Sequence, residues 1–112
     1  MNVLERYNAA LDAKAAEYLA KADTARLKDD ERGCSVCLMQ ASMLGDMLKQ
    51  LGRVDHEMIR PGLLQKQIDA FEESAKKKKD AGDLDNAERE QIKADTVRFA
   101  LNELRRLEAE NG

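Results

Sequence analysis

Apolar residues recur at every third or fourth position along the N-terminal segment, and this spacing restricts the fold more than any other feature. The series is Leu4, Tyr7, Leu11, Ala15, Tyr18, Ala22 and Ala25. At about 100° per residue, these side chains form one stripe along an α-helix. Strand formers are few, since Val and Ile supply seven residues against 16 Ala and 14 Leu. Spacing and composition together predict an all-α protein.

Turn signals divide the rest of the sequence into helices. The signals are Asp29-Asp30, Gly33, Gly52 and Ala81-Gly82-Asp83. They predict hairpin 1 over about residues 3–52, a connection over 53–61 and hairpin 2 over about 62–110. Pro61, the only proline, suits the first turn of the third helix. We therefore expect a single helical domain, an antiparallel bundle of four main helices built as two helical hairpins.

The second hairpin has small residues at regular positions. They include Phe71, Ala75, Gly82-Asp83-Leu84, Ala87 and Ala94. These spacings resemble a tetratricopeptide helix pair, in which small residues let two antiparallel helices nest. The resemblance covers one hairpin, no proline closes it, and a solenoid core normally needs at least three repeats. It implies an antiparallel hairpin, and no family is assigned on it.

The second helix is apolar around most of its circumference, which is typical of a central helix or of a subunit interface. Met39, Met43 and Met47 form a flexible stripe that suits either core packing or a groove for a partner helix. Gly45 lies within this helix, where glycine costs about 1 kcal/mol relative to alanine. We expect it to admit a neighbouring helix closely, the alternative being a helix break.

The fourth helix carries two apolar faces. Ile92 and Phe99 lie about 140–160° around the helix from Val97, so one seam cannot bury both sets. The outer helices would each run roughly 40 Å and the inner two nearer 30 Å, which leaves apolar surface overhanging. The second face and the unequal lengths predict a homodimer.

Cys34 and Cys37 stand at i and i+3, the spacing of a redox pair or of half a metal site. Both continue the apolar stripe of the second helix, so we expect buried, reduced, metal-free thiols. The alternatives are a redox-active pair and a metal site shared across a dimer. His56 is the only histidine and falls in the connection. No catalytic constellation or cofactor fingerprint is recognised, so neither an enzyme nor a bound cofactor or metal is expected.

The run Lys76, Lys77, Lys78 and Lys79 is the strongest basic feature. Glu72 and Glu73 precede it by four residues, which predicts ordinary i,i+4 ion pairs at a solvated helix end. The net charge of −3 does not favour a general nucleic-acid binder. Phosphate contact by these lysines is the alternative.

Function follows by elimination. We expect a small non-enzymatic interaction protein, an adaptor or an inhibitor, that binds another protein through Met39, Met43, Met47, Ile92 and Phe99. The alternatives are a nucleic-acid-associated regulator and a Cys34/Cys37 redox or metal protein. No apolar run could span a bilayer and no secretion signal is recognised, so a cytoplasmic location without membrane contact is expected.

Overall fold

A computed structural model describes residues 2–51 and 61–111, without the side chains of Leu51 and Asn111. These two ranges contain four α-helices and no strand: α1 (Val3–Leu27), α2 (Glu31–Leu51), α3 (Pro61–Asp80) and α4 (Leu84–Asn111). Helix α1 contacts α2, and α3 contacts α4. The chain divides into two compact units, Met1–Ile59 and Arg60–Gly112, each with one hairpin. The predicted all-α class and two helical hairpins are therefore confirmed. Apart from Pro61, the predicted connection lies outside the described residues.

Helix α1 begins at a capping side chain. Asn2 Oδ1 accepts a hydrogen bond from Glu5 N at 2.8 Å, and the carboxylate of Glu5 lies in the first turn, where the helix dipole favours negative charge. The buried residues of α1 are Val3, Tyr7, Leu11, Tyr18 and Ala22. All of them except Val3 belong to the predicted stripe. In α2, Ala41 and Leu44 are the buried residues among the side chains that the structure describes.

The first hairpin turns through a Schellman arrangement, the pair of hydrogen bonds that closes many helix C-termini. Asp29 N donates to Arg26 O at 3.1 Å, and Asp30 N donates to Ala25 O at 2.8 Å. This closure requires a left-handed residue, and Asp29 takes that conformation with φ +58°. Asp30 then caps α2, since its Oδ1 accepts from Gly33 N at 2.9 Å. Asp30 therefore closes the turn with its backbone N–H and caps α2 with its side chain.

The second hairpin repeats this turn bond for bond. Gly82 N donates to Lys79 O at 3.0 Å, and Asp83 N donates to Lys78 O at 2.8 Å. Gly82 is the left-handed residue, with φ +82°. Asp83 Oδ1 accepts from Asn86 N at 3.4 Å and so begins α4 as Asp30 begins α2.

Buried residues also recur at equal distances from the two turns. The matching pairs are Leu11 and Leu64, Ala22 and Ala75, Ala41 and Ala94, and Leu44 and Val97. The two pairs nearer the turns are alanines, and the two pairs farther from the turns have larger side chains. The two hairpins are therefore variants of one structural unit, a relation that the sequence analysis did not recognise.

Helix α4 is buried more completely than any other helix in the described ranges. Its buried residues are Ala87, Ala94, Thr96, Val97, Ala100, Leu101, Leu104 and Leu107. Thr96 is the buried polar residue among them, and its Oγ1 donates to Ile92 O at 2.8 Å, which satisfies the hydroxyl within its own helix.

The expectation for Gly45 in α2 is wrong. A Cβ built at Gly45 would meet no atom within 4 Å, so no neighbouring helix of the described chain approaches there. The helix also continues unbroken through Gly45 to Leu51, which excludes the predicted alternative of a break. Helix α2 is also not buried all round, because Leu38 is 48% exposed and Val36 is only half-buried. This speaks against a central helix, while the alternative of a subunit interface stays a prediction.

Candidate functional site

The methionine face of α2, defined by Met39, Met43 and Met47, is half-buried along its whole length. At 3.6 residues per turn, Met39 and Met43 lie about 160° around the helix from Ala41. Ala41 is buried in a helix whose partner within its unit is α1. Met39 and Met43 therefore lie on the side of α2 away from the seam that builds the hairpin. Met47 lies between that side and the seam, about 60° around the helix from the buried Leu44.

The predicted apolar pair of α4, Ile92 and Phe99, is also half-buried. Both side chains lie about 140–160° from Ala94, on the side away from the α3 seam. The buried Thr96 and Ala100 share this side. Ile92 and Phe99 are thus the partly exposed members of a largely covered face. They belong to the second unit and the methionines to the first, so the structure presents two candidate surfaces.

The lysine run Lys76 to Lys79 is not a uniform basic patch. Lys77 Nζ lies 3.4 Å from Glu73 Oε1, the ion pair that the sequence predicts. Glu72, the predicted partner of Lys76, instead pairs with Arg98 of α4. That ion pair connects α3 with α4. The Glu72 carboxylate is therefore paired within the hairpin and not with the lysine run.

Glu90 of α4 binds the third lysine of the run, Lys78, across the hairpin. Its Oε1 lies 3.4 Å from Lys78 Nζ and 3.2 Å from Lys93 Nζ. Burial raises the pKa of the Glu90 carboxyl group, but hydrogen bonds and charge from Lys93 and then Lys78 outweigh it, so the pKa lies below the usual 4.5. Lys93 Nζ also lies 5.9 Å from the centroid of the Phe71 ring. Lys78 therefore forms an ion pair that connects α3 with α4.

A groove opens beside the turn in each hairpin. Turn groove 1 has a volume of about 410 Å³, and turn groove 2 about 800 Å³. Equivalent positions line both: Arg26 and Lys79, Glu31 and Leu84, Cys34 and Ala87, Ser35 and Glu88, Leu38 and Gln91. Neither groove was predicted from the sequence. The equal spacing of their residues from Asp29 and Gly82 is the signal that would have revealed them.

Neither cysteine is buried. Cys34 and Cys37 are free thiols of intermediate exposure, and Cys34 lines turn groove 1. The expectation of buried thiols is therefore wrong, because α1, the partner of α2 in the hairpin, leaves this part of the α2 stripe partly open to solvent. Within residues 2–51 and 61–111, no group of three or more His, Cys, Asp or Glu could hold a metal ion. His56 lies outside the described residues.

Comparison with protein-family models, with curated proteins and with solved structures finds no match to this chain. Among the described residues, no helix combines the length and the apolar character that a membrane crossing requires.

Proposed function

We propose that this chain is a small non-enzymatic interaction protein, an adaptor or an inhibitor, that binds another protein through an apolar helical surface. The observation that carries the proposal is the methionine face of α2, whose three side chains are partly exposed, with Met39 and Met43 on the side away from the hairpin seam. Unbranched, polarizable methionine side chains adapt to the shape of a partner helix. A surface of this type favours protein binding over catalysis.

Polar side chains beside this face support the same proposal. Asp46 and Gln50, both exposed, lie next to Met39 and Met43 around the helix. Apolar side chains at the centre with polar side chains at the rim are the usual arrangement of a protein interface. In such an interface, the apolar centre supplies most of the affinity and the charged rim mainly accelerates association.

The proposal includes self-association. Ile92 and Phe99 remain partly exposed on an otherwise covered side of α4, and a homodimer would bury them. Light scattering tests this point: the expected mass is twice 12.6 kDa, and a concentration-independent mass of 12.6 kDa would refute it. We also place the protein in the cytoplasm, where a reducing environment keeps two free thiols such as Cys34 and Cys37 reduced.

The alternative is a nucleic-acid-associated regulator that uses Lys76 to Lys79. Lys76, Lys77 and Lys79 are exposed, which supports it. Turn groove 2 weakens it, since Glu72, Glu73 and Glu88 line the same groove as Lys76 and Lys79. A phosphate group there would meet carboxylates as well as ammonium groups.

Quantitative capture of partners from the native cell distinguishes these functions. The first variant is Met43→Glu, which places a charge on the methionine face. Its matched control is Leu19→Glu, the same kind of change at an α1 leucine that is 49% exposed. Met43→Glu should lose the specifically retained proteins, while Leu19→Glu should retain them. Circular dichroism of each variant confirms that the helices remain formed.

A second comparison ranks apolar contact against charge. Phe99→Ala should weaken the complex, or a dimer that builds its binding surface, by at least about 1–2 kcal/mol. Changing all four lysines of the run to glutamine should mainly lower the association rate at low salt. If the lysine variant abolishes function at physiological salt while Phe99→Ala and Met43→Glu leave it intact, the apolar-interface proposal is wrong and the nucleic-acid alternative replaces it.

A further inference from the structure

One of the two thiols of α2 lies in the lining of turn groove 1. Cys34 lines this groove together with Leu38, Ser35 and Arg26. Cys37 lies nearly one helical turn farther along, is half-buried, and is not among the lining residues. A small molecule that enters the groove therefore meets Cys34 first, with Cys37 next to it on the same helix.

We propose that Cys34 and Cys37 form a reversible thiol–disulfide exchange site for a small disulfide of the glutathione class. The Cys34 thiolate attacks one sulfur of the incoming disulfide, forms a mixed disulfide and expels one thiolate, which takes up a proton. The Cys37 thiolate then attacks the sulfur of Cys34, forms the Cys34–Cys37 bond and expels the second thiolate, which is also protonated. The protein loses two electrons and two protons, and the small disulfide gains them as two thiols.

Two cysteines are sufficient for this chemistry within one chain. A closed structural zinc site normally takes four N or S ligands, whereas a disulfide needs only a second thiol within reach. Leu38 offers the small disulfide an apolar contact in the groove. The groove also carries charges of both signs, from Arg26, which pairs with Asp23 at 2.8 Å, and from the carboxylates of Asp29 and Glu31. These charges match the carboxylate and ammonium groups of glutathione. The proposal does not depend on the protein-binding function.

Helix geometry makes the internal disulfide both accessible and strained. Residues at i and i+3 have Cα atoms about 5 Å apart, which falls inside the range of about 4.4–6.8 Å that disulfides accept. Their Cβ atoms are about 5–6 Å apart, whereas a disulfide requires about 3.5–4.5 Å. Oxidation must therefore loosen the helix around the pair. A disulfide formed under such strain is readily reduced, which makes the exchange reversible.

The first turns of α2 can unwind at a small free-energy cost. Cys34 N donates to Asp30 O at 3.0 Å, one of the first hydrogen bonds of the helix. Gly33, which precedes it, is a weak helix former. From Glu31 to Gln40, α2 has no buried residue, so its first turns can open without exposing core side chains.

The second hairpin supplies a matched substitution for Cys34. Ala87 occupies the position equivalent to Cys34 and is compatible with the same helical hairpin. Cys34→Ala therefore removes the attacking thiol by adopting a residue that the repeated unit already accepts. Cys37→Ser removes the second thiol and keeps a side chain of similar size.

The experiment incubates the reduced full-length chain with glutathione disulfide and follows intact mass after acid quenching. The wild type should lose the mass of two hydrogen atoms, with a glutathione adduct only as a transient. Cys37→Ser should accumulate one stable adduct, and Cys34→Ala should react at least tenfold more slowly than the wild type. Oxidised wild type should show weaker helical circular dichroism that a dithiol reductant restores.

Three results would overturn the proposal. The first is a stable adduct on the wild type without loss of two hydrogens, which shows that Cys37 does not resolve it. The second is a disulfide between two chains in place of the internal one. The third is that Cys34→Ala reacts as fast as the wild type. This result would show that the thiol in the groove is not the attacking group. Because the isolated chain is measured, each result leaves the protein-binding proposal untouched.

Discussion

Exchanging Asp29 for glycine should stabilise the first hairpin, because the backbone there is left-handed. An L-residue with a side chain costs about 1–2 kcal/mol in that conformation, with Asp among the less penalised residues, and glycine removes this cost. Asp29 has φ +58°, and Gly82 holds the same place in the second turn. Glycine also makes the unfolded chain more flexible, which offsets about 0.4–1 kcal/mol. The net expectation is a gain of about 0.5–1 kcal/mol.

Charge is a second effect of this substitution and needs its own control. Asp29 follows the C-terminus of α1, where the helix dipole disfavours a carboxylate. Asp29→Asn removes the charge and keeps a side chain that tolerates the left-handed conformation. The difference between Asp29→Gly and Asp29→Asn therefore isolates the backbone contribution. Gly82→Ala provides the reverse test, since a Cβ there meets no atom within 4 Å and any destabilisation comes from the backbone alone.

Urea unfolding followed by circular dichroism measures these changes. The transition midpoint should rise for Asp29→Gly and fall for Gly82→Ala, while the slope of the transition stays constant. If Asp29→Gly is no more stable than Asp29→Asn, the backbone argument is refuted and charge alone explains the gain. If Gly82→Ala is as stable as the wild type, the second turn does not need its left-handed residue.

Three further predictions concern packing and pH. Gly45→Ala should stabilise α2 by about 1 kcal/mol in a thermal unfolding experiment, because the added methyl group meets no neighbour, and destabilisation would show a close contact there. Leu11→Ala should destabilise by about 2–5 kcal/mol, whereas Leu27→Ala, at a side chain that is 85% exposed, should change stability by less than about 0.5 kcal/mol. Because the folded pKa of Glu90 lies below 4.5, its stabilisation is present above that pH and is lost as pH falls through the lower folded value. Glu90→Gln should therefore make stability less sensitive to acid in this range, and an unchanged pH profile would contradict the argument.

The repeated turn explains why the helix boundaries were predictable. Each boundary depends on a few neighbouring residues: a left-handed residue at Asp29 or Gly82, followed by an aspartate that caps the next helix. These are local hydrogen bonds, so their signals are complete within a short stretch of sequence. The start of α3 at Pro61 and the end of α1 at Leu27 agree with the predictions for the same reason.

Side-chain exposure was less predictable, as α2 and α4 show. Both helices carry apolar residues on two sides, yet Met43 is half-buried while Thr96, at the equivalent position, is 1% exposed. Hydrophobicity alone would rank these two residues in the opposite order. Exposure depends on which other atoms cover a face, and periodicity contains no information on that covering.

By itself, the sequence determined the helices, their ends and the pairing into hairpins, because caps, turn residues and helical periodicity act over a few residues. Only the tertiary structure decided that Cys34 borders an open groove, that Gly45 has no neighbour, and that Glu72 pairs with Arg98. Each of these depends on how one helix lies against another in three dimensions. A difference of a few degrees in that packing covers or exposes a side chain without changing any local signal.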